Sequence, residues 1–305
     1  MYGISIGTSA FALGPYEKNP TRFAELIPRL RDLGFSGVEL ASFGPHPNPV
    51  SHPTKRSREE LNERMAANGI AFSGVCPDFW SLNLVNSDDD GAGYLESFRT
   101  NLAFAADIGS PMVRVDAIHP PQTFDKVPKE VARARIVKIW KRAITEAARK
   151  GLDVVWEFEP GFIFNRPSDI VELVGEFDEP NFGVLFDTCH AHMIAVEGAR
   201  QTGGPVERLK GGVLELARML RGRIRTVHVG DSDGTIYQGG TSTHVPIGEG
   251  RIDFPPILQE LAAYGGMQNP WWTLDLSNCE NAWEAAASCK AALDRFNEVS
   301  LANAK

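Results

Sequence analysis

DVVWEFEP, residues 153–160, is the stretch on which the fold turns. It is apolar and β-branched at its centre, too short for a helix, and ends in Glu157 and Glu159. Side chains alternate along a strand, so the two carboxylates share one face while Trp156 and Phe158 take the other and pack on surrounding helices. Three later runs end the same way. FGVLFDTCH (182–190) delivers Asp187, IRTVHVGD (224–231) delivers His228, and WWTLDL (271–276) delivers Asp275. An unpaired charge at the end of a buried strand is costly, so four such ends imply a shared partner. Three carboxylates and one imidazole converging on a point suit a hard or borderline divalent metal.

Outward from these runs, strand-like and helix-like segments alternate. Strands are expected at 3–8, 34–40, 70–76 and 112–115, before the four already quoted. Helices are expected at 21–33, 56–68, 94–108, 129–150, 167–177, 206–221, 254–264 and 282–296. Thr21 reads as the cap of the first helix, and Pro28 interrupts it. Gly34, Gly69, Gly109 and Gly151 each follow a helix and precede a strand, where a left-handed C-cap is wanted. Helix-length insertions argue for parallel pairing, and eight units favour closure into a (β/α)8 TIM barrel, an α/β fold. The competitor is an open doubly wound sheet, but the chain reads GTSAFALG after its first strand, without the glycine fingerprint many such sheets carry. No linker or composition break divides the sequence, so residues 1–305 are expected to form a single domain. The Pro-rich stretch 45–53, the segment around Pro120 and the glycine-rich stretch 234–250 read as long loops at the active face.

Lys and Arg number 31 against 39 Asp and Glu, a formal net charge of −8, and no basic stripe stands out, so nucleic acid is not an expected partner. No run reaches the roughly 18 apolar residues of a membrane span. The start, MYGISIGTSAF, lacks the basic and apolar regions of a signal peptide. Cys76, Cys189, Cys279 and Cys289 form no CxxC pair. A reducing, cytoplasmic setting follows as the expectation, with Cys189 a passive thiol.

The four strand-end residues fall 30, 41 and 47 residues apart, one per unit, and barrels of this kind gather their chemistry at the carboxyl ends of strands. Any one of them alone would read as a capping or core hydrogen-bonding group. Asp187 with His190, and His228 with Asp231, are each three apart, a spacing that can aim both at one point as the chain leaves its strand. His244 with VPIGEGRIDF reads as a substrate loop, against a surface turn. Glu39 either meets a sugar hydroxyl or pairs with a cation. Phe79, Trp80 and Trp271 line a sugar face or pack in the core. Asp116 and His119 are minor candidates for polar lining, and His46 and His52 are expected to face solvent.

The segments WEFEPG, GVLFDTCHAH, VHVGDSDG, HVPIGEGRIDF and WWTLDL resemble the xylose-isomerase-like superfamily of TIM barrels, and within it the sugar (phosphate) isomerases and epimerases. The resemblance implies one divalent metal, most often Mn²⁺, with Mg²⁺, Co²⁺, Fe²⁺ or Zn²⁺ as alternatives. Its ligands would be Glu157, Asp187, His228 and Asp275, while His190 and Asp231 match positions that contact substrate. The family's last ligand is usually Glu. Asp275 is one methylene shorter, a loss of about 1.5 Å of reach. That makes Glu159 a candidate for proton transfer beside the expected catalytic pair, Glu157 and Asp275.

The activity so implied is proton transfer next to a carbonyl of a ketose or keto-sugar, an isomerase or epimerase reaction. A dehydratase of the inosose type on the same site is the alternative. Behind these stand an endonuclease, for which the third unit offers GVCPDFW with no histidine, and a non-catalytic sugar-binding subunit. The partner is then a small sugar-like molecule. Which sugar, whether it is phosphorylated, and whether the chain forms a homo-oligomer are left open by the sequence.

Overall fold

The computed structural model describes residues 2–85, 90–265, 267 and 270–303. Eight parallel strands close into a barrel. In chain order they are β1 (Gly3–Gly7), β2 (Gly37–Ser42), β3 (Ala71–Pro77), β4 (Met112–Asp116), β5 (Asp153–Glu157), β6 (Phe182–Asp187) and β7 (Ile224–Val229). A hairpin of β8 (Asp231–Ile236) and β9 (Ser242–Val245) then intervenes before β10 (Trp271–Leu274), which pairs with β1 and closes the ring. The helices are α1 (Phe23–Asp32), α2 (Lys55–Ala67), α3 (Ala92–Asp107), α4 (Lys129–Ala148), α5 (Pro167–Gly175), α6 (Thr188–His192), α7 (Gly212–Met219), α8 (Phe254–Tyr264) and α9 (Ala282–Asn303). None of the described helices is long and apolar enough to cross a membrane.

The apolar core fills the space between barrel and helices. Trp156, on the outward face of β5, packs against Trp140 of α4 with ring centroids 5.8 Å apart, and Trp140 lies 6.1 Å from Phe182 of β6. Inside the barrel, the inward positions two residues before the site make a floor of Met112, Val155 and Leu185. The opposite end is plugged by Trp271. Its ring occupies the space where Gly3 and Gly37 would carry a Cβ, so this tryptophan lies away from the strand-end mouth.

Gly34, Gly69, Gly109 and Gly151 take positive φ as their positions require. Other expectations are corrected. Thr21 does not cap α1; the helix starts after Arg22 with no side-chain cap, and Pro28 sits inside it. α7 begins at Gly212 rather than at 206, because the paired glycines 211 and 212 break the helix and Gly212 has a left-handed backbone. The stretch 234–250 is not all loop, since much of it is the β8–β9 hairpin. His46 is 1% exposed, with its Nε2 3.3 Å from the Thr21 carbonyl and its ring edge-on to Phe23.

A candidate metal centre at the barrel mouth

Strand register assembles the site. Asp187 and His228 are direct neighbours across β6 and β7, and Asp116 stands opposite Glu157 across β4 and β5. One ligand atom from each of Glu157, Asp187, His228 and Asp275 lies within 4.8 Å of the others, and all four residues are buried. Each is aimed by a contact of its own. Asp187 caps α6, its Oδ1 accepting the His190 N–H at 2.7 Å, which leaves Oδ2 to face inward. Asp275 Oδ1 accepts the Ser277 N–H at 2.7 Å, and its Oδ2 faces His228 Nδ1 at 3.5 Å. The other oxygen of Glu157, Oε2, accepts from Arg114 Nη1. His228 Nε2 lies 2.9 Å from Glu39 Oε2.

Among these four ligand residues, two atoms are left over. Glu157 Oε1 and His228 Nδ1 are buried and have no hydrogen-bond partner, although they stand 2.9 Å apart. Two ligands at right angles on a small divalent ion, each about 2.1 Å from it, are separated by about 3 Å. Orphaned lone pairs at this spacing, with Asp187 and Asp275 beside them, fit a bound cation. The Glu39 contact fits too, because an acceptor on Nε2 fixes the tautomer that offers Nδ1 to a metal.

The electrostatics agree with a site short of positive charge. Burial opposes charge on Glu157, but Arg114 and His228 outweigh it and hold the carboxyl down at about 2. Burial likewise opposes ionisation of Asp275, yet His244 and His228 hold it well below the usual range. His228 is pushed well above its ordinary value, burial being overcome by Glu39 and Glu157. His244 is raised to about 9 against burial by Asp275 and Asp187. Glu159 is raised, chiefly by burial, with His190 opposing. A proton on His228 and a divalent ion are alternatives for the same lone pair.

The site opens into a cavity of about 400 Å³, a size suited to a small ligand. Glu157, Glu159, His190, His228, His244 and Asp275 all line it, as do Glu39 and Trp80. His190 Nδ1 lies 2.8 Å from Ser242 Oγ, and its Nε2 is 3.9 Å from Glu159. His244, on β9, reaches Asp187 Oδ2 at 3.4 Å. Gly230 permits this approach: a Cβ there would stand 2.7 Å from the His244 ring.

Asp231 is elsewhere. Its two oxygens accept the N–H groups of Ser232, Gly248, Gly250 and Ile252, which ties down the loop after β9. Phe79 is buried against Tyr94, and Arg251 is exposed near Glu197. His119 Nε2 accepts from the Leu84 and Val85 N–H groups. Cys189, its thiol pushed up by burial, donates to the Thr243 carbonyl. Arg114 is the functional neighbour that sequence reading missed. It contacts Asp116 through Nε and Nη2, at 3.2 Å each, as well as Glu157. Burial, partly offset by Arg114, raises Asp116 to about 7. The signal was an Arg and an Asp two apart, hence on one face, within MVRVD. Gln238, Gly239 and Thr241 line the cavity from the stretch 234–250 expected at the active face, although none was singled out individually from the sequence.

A closed parallel barrel carrying acidic and imidazole side chains at the carboxyl ends of its strands defines a TIM-barrel protein with a candidate metal centre. The chain belongs to the xylose isomerase-like TIM barrel family, whose model matches residues 27–296. Among solved structures, a D-tagatose 3-epimerase-like protein is similar at a TM-score of 0.74 and 18% identity, over 100% of both chains. An L-ribulose 3-epimerase gives 0.73 and 18%, over 100% of this chain and 97% of the other. An IOLI protein with a binding zinc atom gives 0.73 and 16%, over 97% and 98%. At these identities the likeness is one of fold. No curated protein matches the sequence.

Proposed function

We propose that the chain is a metal-dependent sugar isomerase or epimerase that moves a proton next to the carbonyl of a ketose or keto-sugar. The observation that carries this is the pair of orphaned atoms, Glu157 Oε1 and His228 Nδ1, beside Asp187 and Asp275 at the foot of a ligand-sized cavity. The similar L-ribulose 3-epimerase supports the same class. Glu157, Asp187, His228 and Asp275 would hold one divalent ion, Mn²⁺ by preference. When bound, the ion supplies a Lewis acid that polarises the substrate carbonyl.

The chain's own groups supply the proton transfers. Glu157 and Asp275 are carboxylates at neutral pH and both line the cavity, so one accepts the α-proton and the other returns it. Return to the opposite face of the same carbon gives an epimer; return to the former carbonyl carbon, with the α-hydroxyl proton passing to the former carbonyl oxygen, gives an isomer. Both are held weakly basic by their cationic neighbours. Glu159, whose pKa burial raises, is the stronger base and serves as a relay where Asp275 falls short. General acid–base help of this kind contributes about 10²–10⁴-fold. His190 and His244 bind substrate oxygens.

The dehydratase reading uses the same residues. It draws support from His190 Nε2, which at 3.9 Å from Glu159 could protonate a departing hydroxyl. An endonuclease is less favoured, because Cys76 lines the cavity in the third unit, where that chemistry wants histidine. A ketose incubated with the Mn²⁺-loaded protein in D₂O should gain deuterium next to its carbonyl, and Glu157→Gln should lose metal, label or both. Metal analysis should find about one ion per chain, against about three for a nuclease. Normal metal content and full labelling in Glu157→Gln would refute the assignment, and a pure binder would give no label with any ketose.

A further inference from the structure

The cavity is chemically lopsided. Its foot carries the carboxylates and imidazoles described above. Its outer wall carries Leu13, Phe43, Trp80 and Phe162. None of these four belongs to the apolar core or to the residues packed on it. All are partly exposed, Trp80 at 44%, and the Phe43 and Trp80 rings stand 5.4 Å apart at a tilt of 59°. One exposed apolar residue on a surface means little. Four around a single opening leave unspent apolar area facing whatever enters.

The cationic inventory is equally one-sided. Among the described residues lining the cavity, Arg114 is the only Lys or Arg. It is buried, and its guanidinium is already committed, Nη1 to Glu157 and Nη2 to Asp116. The imidazoles of His228 and His244 are turned to Glu157, Asp187 and Asp275, so a phosphate or carboxylate on the substrate would enter past Glu159 and Asp275 and find no uncommitted Lys or Arg in the described lining.

From these two observations, and resting on the sugar reading above, we propose a substrate class. The substrate is an uncharged keto-sugar bearing an apolar substituent, such as the aryl or alkyl aglycone of a keto-glycoside. The polyhydroxy-ketone end lies at the acidic foot, and the substituent lies against Phe43 and Trp80. A free ketose has hydroxyls along its whole length, and those set against Phe43 and Trp80 would face apolar carbon, even though the polar side chains of Ser9, Gln238, Thr241, Ser277 and Asn278 line other parts of the cavity. An aromatic ring there instead gains edge-to-face or offset contact with two rings and removes apolar area from water.

Calorimetric titration of the Mn²⁺-loaded protein with three ligands tests this: an unsubstituted keto-hexose, its phosphate ester, and a phenyl keto-glycoside. Deuterium uptake from D₂O is followed in parallel. The phenyl compound should bind about tenfold or more tightly than the free keto-hexose, and the phosphate ester no more tightly than the free sugar. Trp80→Ala should reduce the ratio of phenyl to free-sugar affinity to within about threefold, and Phe43→Ala should reduce it in the same direction. A phosphate ester that binds tightest, or a phenyl preference untouched by both substitutions, overturns the proposal. If the free keto-hexose takes up label while the phenyl compound shows no preference, the substituent proposal fails and the isomerase reading stands. If none of the three takes up label, the isomerase reading fails, and if none binds, both fail.

Discussion

Glu39 and His228 meet across the barrel, from β2 to β7, with Oε2 and Nε2 2.9 Å apart although the two residues stand 189 positions apart in the chain. The contact sets the direction of the imidazole. With Nε2 tied to a carboxylate, Nδ1 is the nitrogen left facing Glu157, Asp187 and Asp275. Gly74 on β3 lies beside both Met112 and Glu39, and a Cβ there would stand 2.5 Å from Met112 Cε and 3.3 Å from Glu39 Oε1.

Removing that partner should be felt at the ion. Glu39→Gln is expected to weaken Mn²⁺ binding about tenfold and Glu39→Ala up to about a hundredfold, the range found when a carboxylate behind a ligating histidine is lost. Calorimetric titration with the metal measures it directly, and thermal unfolding checks that the fold persists. Wild-type affinity in both variants would mean that His228 is oriented by something else.

Ser242 plays a similar part for His190. Its hydroxyl lies 2.8 Å from His190 Nδ1, and it rides on the hairpin rather than on the barrel. Ser242→Ala leaves a buried ring nitrogen unpaired, a loss of about 1–3 kcal/mol. Turnover of an accepted ketose should fall about tenfold as His190 gains freedom, while metal content should not change. Steady-state kinetics together with metal analysis separates this outcome from general damage to the site.

Acid should loosen the segment held by His119. Its Nε2 must be unprotonated to accept from Leu84 and Val85, and burial lowers its pKa from 6.5. Above pH 6.5 both folded and unfolded chains carry it neutral, so its contribution is fully present. As pH falls through 6.5 the unfolded chain takes up a proton that the folded chain resists, and stability is lost. His46, His52 and His192 are shifted the same way, so the slope is shared among them. His119→Ala should be less stable at pH 7.5 yet lose less on going to pH 5.5, as read by urea unfolding. An unchanged pH slope would count against it.

The ligands were legible because a strand-end carboxylate after an apolar run is a local signal, and Glu157, Asp187, His228 and Asp275 each carry it within a few residues. Arg114 is different. Its meaning depends on β4 lying beside β5 in a register that sets Asp116 opposite Glu157, and no short window contains that information. The hairpin escaped for another reason. DSDGTIYQGGTSTHV has too little apolar alternation to read as paired strands, and its pairing runs through Asp231 with Val245 and Ser232 with His244. His46 sits among prolines in a stretch that looks solvated, and is buried only because the loop folds back on Phe23.

Asp231 gives the clearest test of a role that sequence and geometry suggest differently. The family resemblance implies that it contacts substrate, whereas its oxygens are taken up by four backbone N–H groups at 2.8–3.1 Å, three of them from the loop after β9. Gly250 lies so close that any Cβ would overlap the carboxylate, so the loop is built around this one side chain. Asp231→Asn keeps the shape but turns an amide NH₂ toward N–H donors, so at least two of the four bonds are lost. Hydrogen bonds to a charged group are worth about 1.5–3 kcal/mol each, and a net loss of about 3 kcal/mol is expected. Hydrogen exchange should rise at residues 248–252 before it rises in the barrel strands, because only the loop loses its anchor. A raised KM with exchange in the loop unchanged would instead assign Asp231 to direct contact with substrate.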